Sequence, residues 1–99
     1  MHDYVLFMHD DVPDGQPRPE QEWAAYFAKL RESGAFQGGS SIGGGICVTR
    51  SASSRPITSF LSGYIRVRAL DLNAARELVI GNPVYEAGGT VEVRELPTD

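Results

Sequence analysis

The 99-residue chain holds one cysteine, one lysine, one tryptophan and two histidines, and each scarcity removes a class of protein. A lone Cys47 forbids an internal disulfide and fits a reducing compartment, so a cytoplasmic location is expected. One cysteine and two histidines offer no metal-ligand spacing, and no metal is expected. No apolar run approaches the ~18 residues a membrane helix needs, and no basic segment precedes an apolar one at the start. Neither a membrane span nor a signal peptide is read. Lys29 is the only lysine, and the eight arginines lie scattered from Arg18 to Arg94. With a net charge of −4 there is no basic stripe for a phosphate backbone, so nucleic acid is not an expected partner.

What remains is an ordinary globular composition, 41% apolar and 22% charged. The length suits one domain spanning residues 1–99. A chain of this size buries only about 60–65% of its unfolded surface, so its core is thin. A sheet with one face in water would waste much of that core. A homodimer is therefore expected.

Tyr4-Val5-Leu6-Phe7-Met8 is a continuous apolar run, which reads as a central strand ending at His9-Asp10-Asp11. His2 and Asp3 read as a frayed end before it. Val12 to Arg18 carries two prolines and a glycine and reads as a loop. Pro19, Glu20 and Glu22 suit a first helical turn, Trp23, Phe27 and Leu30 form its apolar stripe, and Gly34 stops it. Gly38 to Gly45 has five glycines in eight positions, so two short strand pieces, Ala35 to Gln37 and Ile46 to Thr49, are expected around a bulge or loop. Ser51 to Ser54 reads as a polar loop. Ile57 to Ala69 is the longest strand candidate, with Ile65, Val67 and Ala69 on one face and Tyr64, Arg66 and Arg68 on the other. Asp71 suits the cap of a second helix with a buried stripe of Leu72, Ala75, Leu78 and Val79. Val84 to Gly88 reads as a single turn and Thr90 to Leu96 as the last strand. The order is that of a ferredoxin-like βαββαβ fold of the α+β class, an antiparallel sheet with two helices on one face.

Three stretches resemble YCII-related proteins: Tyr4 to Asp11; Leu30 and Gly34 followed by Gly38-Gly39; and the Gly63-Tyr64 strand with the helix over Asn73 to Ile80 and the closing Gly89-Thr90-Val91-Glu92-Val93-Arg94. The resemblance implies a dimeric α+β barrel built from two ferredoxin-like sheets, with a small-molecule pocket near the junction of sheet, helices and partner. It also implies a His–Asp pair in that pocket. Here the histidine's position holds Trp23 and the aspartate's holds Asn82, before Pro83. Related proteins suggest cofactor-free lyase-type chemistry, such as elimination of chloride from a hydroxylated aromatic, and no cofactor is expected.

His9 with Asp10 or Asp11 is then the acid–base candidate, since a carboxylate beside an imidazole raises its basicity. Neighbours on a strand face opposite ways, so His9 and Asp10 share a pocket only if the strand has ended; otherwise they form a polar strand end in solvent. Trp23, Asn82, Tyr85 and Ser40 are the candidate ligand contacts, for an aromatic or anionic metabolite. Trp23 also reads as helix core. Arg66 and Arg68 read either as an anion clamp or as a face salted against Glu92 and Glu95. Cys47 reads as a buried structural thiol. The glycine segment lacks the lysine and Ser or Thr of a phosphate loop. A binding or interaction module without the family pair is the alternative function.

Overall fold

The computed structural model describes residues 1–51 and 55–98. Its elements run β1 (His2–His9), α1 (Glu20–Ser33), β2 (Phe36–Ser41), β3 (Leu61–Ala69), α2 (Leu72–Glu77), α3 (Pro83–Glu86) and β4 (Val91–Leu96). Four strands form one antiparallel sheet in the order β2-β3-β1-β4. That order, with the helices on one face, is the ferredoxin-like α+β fold.

The apolar run becomes a central strand because β1 is paired on both edges. Tyr4, Leu6 and Met8 face the helices, opposite Val67, Ile65 and Gly63. With Tyr26, Leu30, Ala75 and Val79 they form the core. Val5 and Phe7 point to the other face. Pairing reaches back to His2, so the start of the chain is strand and not a frayed end; Asp3 pairs with Leu96 and meets the Arg68 guanidinium at 3.2 Å.

Helix α1 begins after Pro19, carries Glu20 and Glu22 in its first turn, and ends at Gly34 in the left-handed region, φ 79°. The expected stripe is partly displaced. Tyr26 and Leu30 are the buried residues, while Trp23 and Phe27 are half-buried beside them. Tyr26 spans the layer, its hydroxyl donating to the Leu78 carbonyl at 2.6 Å. Asp71 caps α2 by accepting from Ala74 N at 2.8 Å. Ala75 and Val79 are buried as expected, but Leu72, the first residue of α2, is exposed.

The largest departure lies between β2 and β3. Ile46 to Thr49 forms no strand, and β3 starts at Leu61 and not at Ile57. Both edges of β3 are already taken, by β1 and β2, so a further piece finds no partner there. Ile46 and Val48 are each 84% exposed, and Cys47 is exposed as well, so it is not a buried structural thiol. The expected bulge does occur, with a register shift between Phe36 and Gly38. Residues 52–54 of the expected polar loop lie outside the described residues.

Candidate functional site

Antiparallel pairing brings the end of β1, the start of β3 and the end of β2 to one edge of the sheet. There a half-open cleft of about 650 Å³ lies beneath the N-terminal half of α1. Its floor includes Met8, Gly63 and Ile65, and its helix side is Trp23 and Phe27. The loop after β1 closes one flank, through Asp10, Val12 and Arg18, and Ser40 to Ile42 closes the other. The volume matches that of small-molecule sites, which are mostly apolar with a few placed polar groups.

The aromatic wall is held rigidly. Trp23 stacks on Phe27, centroids 5.7 Å apart at 26°, and Phe27 meets Phe36 edge-on at 5.5 Å. The strand wall is thin because Gly39 has no side chain. A Cβ there would lie 2.6 Å from the Tyr64 carbonyl oxygen and 3.1 Å from Ile65 Cα. Close approach of β2 to β3 therefore needs glycine at this position.

His9 and Asp10 both border the cleft, since β1 ends at His9 with a register shift after Met8. The carboxylate that meets the imidazole is neither Asp10 nor Asp11. Nε2 of His9 lies 2.9 Å from Glu92 Oε1, on the sheet face opposite the helices, and the ring meets Phe60 edge-on at 5.0 Å. Glu92 is held below the ordinary carboxylate range by His9 and then by Arg94, whose Nη1 is 3.1 Å away. Sequence reading missed this partner because 83 residues separate the two. It also corrects the expected salting of Arg66 and Arg68, since Glu92 pairs with His9 and Arg94, and Arg68 with Asp3. Asp11 instead fastens β1 to β4, accepting from Thr90 N at 2.8 Å and Thr90 Oγ1 at 2.6 Å, which lower its pKa.

Of the candidate ligand contacts, Trp23 and Ser40 line the cleft; Asn82 and Tyr85 do not belong to its lining. Asn82 is fully buried, and its Oδ1 caps α3 by accepting from Val84 N at 2.9 Å and Tyr85 N at 3.3 Å. Its Nδ2 has no hydrogen bond of good geometry but sits close enough to the Tyr26 hydroxyl to act on it. Burial dominates there and pushes the Tyr26 phenol up to about 12. Tyr85 is 49% exposed. Val84, two residues after Asn82, does reach the cleft.

Arg18 was read only as the end of a loop, yet its side chain is just 13% exposed and lines the cleft. Among the described residues, its guanidinium bonds only through Nη2: two contacts to Asp14 at 2.7 Å and one to the Gln16 carbonyl at 3.0 Å. Asp14 is lowered by the Gln16 backbone N–H and then by Arg18. Nε of Arg18 is sealed from solvent without an acceptor. A buried unmatched donor of this kind costs about 1–3 kcal/mol. Among the described residues, no group of three or more His, Cys, Asp or Glu is positioned to hold a metal ion, and no helix is long and apolar enough to cross a membrane.

No family model matches the sequence, and no curated protein does. Among solved structures the chain is similar to the 5-chloro-2-hydroxyhydroquinone dehydrochlorinase of Burkholderia phenoliruptrix AC1100, determined with 2,5-dihydroxybenzoquinone. The match covers 98% of this chain and 95% of that one, with a TM-score of 0.53 and 13% identity. At that identity the likeness shows a shared ferredoxin-like fold and nothing finer.

Proposed function

We propose that residues 1–99 form a single YCII-like domain that binds a small aromatic or anionic metabolite in the cleft beneath α1, and that the domain works as a cytoplasmic homodimer. The observation that carries this reading is the 650 Å³ cleft walled by the stacked Trp23 and Phe27. A planar ring finds a third face there, and Ser40 lines the rim. The similar solved protein was determined with a flat hydroxylated quinone, which supports a ligand of that shape. His9 and Asp10 border the cleft, and proton exchange there, for cofactor-free lyase-type chemistry, requires the His9 ring to turn away from Glu92.

Trp23 is the only tryptophan in the chain, so its fluorescence reports on the cleft alone. Titration with hydroxylated benzoates and quinones is expected to change its emission saturably, and Trp23→Phe is expected to abolish the signal. An unchanged emission across the panel contradicts the reading.

Asn82 favours a second reading, a binding module without catalysis. The residue at the position where the resemblance implies a catalytic aspartate is spent on capping α3. With a turned-over ligand in hand, His9→Ala separates the two. Loss of turnover with retained binding supports catalysis through His9, and unchanged turnover removes it.

A further inference from the structure

We infer that the ligand of the cleft carries an oxyanion on its ring, a carboxylate or phenolate, and that Arg18 is the residue that selects it. This rests on the cleft reading above and narrows its ligand class. A guanidinium presents five N–H donors in a fixed plane, and a charge taken out of water needs most of them matched. Arg18 has only one of its three nitrogens engaged, with all three bonds on Nη2. Nε is buried with no acceptor, and Nη1 makes no hydrogen bond among the described residues. The molecule thus holds a cation at the wall of an aromatic cleft with its donor fork only partly used.

The local chain explains why the free donors stay available. Asp14 and Gln16, which hold Nη2, belong to a stretch from Pro13 to Pro17 whose residues are all exposed, so little packing fixes them. A modest turn of the Arg18 head, with Asp14 following, brings the Nε edge toward the cleft. A bidentate oxyanion on a ring lying against Trp23 then accepts the bonds that the folded chain leaves unmade. Among the described residues that line the cleft, Arg18 is the only arginine or lysine. The one carboxylate among the lining residues, Asp10, disfavours a second negative group on the same ligand. A monoanion is therefore the matching class.

Trp23 fluorescence tests this with 2,5-dihydroxybenzoate and its uncharged analogue 2,5-dihydroxybenzamide, on the whole chain, with Arg18→Gln and Arg18→Lys. Wild type is expected to prefer the acid, and Arg18→Gln to weaken the acid by about tenfold or more, the scale of one charge-assisted bond, while moving the amide by less than about twofold. Arg18→Lys keeps the charge but not the fork, and is expected to fall between them. Circular dichroism confirms that each variant is folded; if Arg18→Gln is not, the Lys variant and the acid-to-amide ratio of wild type decide. Equal loss for acid and amide, or no loss for either, overturns the role of Arg18 while leaving the cleft reading intact. If wild type binds neither compound, the cleft reading falls and this inference falls with it.

Discussion

Single residues at the sheet's edge show how proximity in space reassigns chemistry suggested by proximity in sequence. His9 stands next to Asp10 and Asp11, yet it is Glu92 of β4 that lies 2.9 Å from its ring. Asp11 ties Thr90, and Asp14 holds Arg18. The shared consequence is a pH dependence. Asp11, Asp14 and Glu92 are all lowered from ordinary values of 3.8, 3.8 and 4.5. As pH falls, the unfolded chain takes up these protons first, so the stability they contribute is complete above the ordinary carboxylate range and drains as pH drops through the lowered folded values. Urea unfolding midpoints are expected to fall on acidification below about pH 4. Asp11→Asn is expected to flatten that decline, and an unaltered slope removes Asp11 from the account. His9 and Trp23 were legible as site candidates because their residue types stand out in a chain poor in histidine and tryptophan. Arg18 was not, being one of eight arginines whose burial only the folded loop reveals.

Elements were legible where periodicity and punctuation agree. α1 carries an acidic first turn and a glycine stop, both found in place, and an apolar stripe that shifts toward Tyr26. α2 announces itself by Asp71. The β2–β3 region was read less well, since local sequence cannot say whether a strand-forming stretch finds an open edge. Ile46 to Thr49 has the residue types but forms no strand. β2 itself has poor strand formers and pairs because its glycine permits contact. Gly39→Ala is expected to lower stability by roughly 1–3 kcal/mol, since the new Cβ meets backbone and not a flexible side chain. It is also expected to speed amide hydrogen exchange in β2 more than in β1. Uniform exchange across the sheet counts against a local role for this contact.

At the scale of the whole molecule, the least extent is 18 Å, room for one sheet and one layer of helices. Among the described residues, no helix or strand covers the face of the sheet away from the helices. On it Val5 is still only 6% exposed, flanked in register by Arg66 and Arg94, whose aliphatic stems shelter it. Phe7 and Tyr64 pair beside it. A second copy laid on this face would bury both, as the thin core led us to expect. Sedimentation equilibrium is expected to give twice the 10.8 kDa chain mass at micromolar concentration, and Phe7→Asp to weaken association by about tenfold or more. A folded monomer throughout contradicts the homodimer but leaves the cleft, which lies on the helix side, in place.

Backbone chemical shifts followed during addition of 2,5-dihydroxybenzoate test the cleft itself most directly. Perturbations are expected to cluster at Arg18, Trp23, Phe27, Gly39 and Ser40, together with the Trp23 indole N–H, and to saturate together. Shifts confined to Val5, Phe7 and Arg66 on the opposite face, or none at all, contradict the assignment of the cleft as the ligand site.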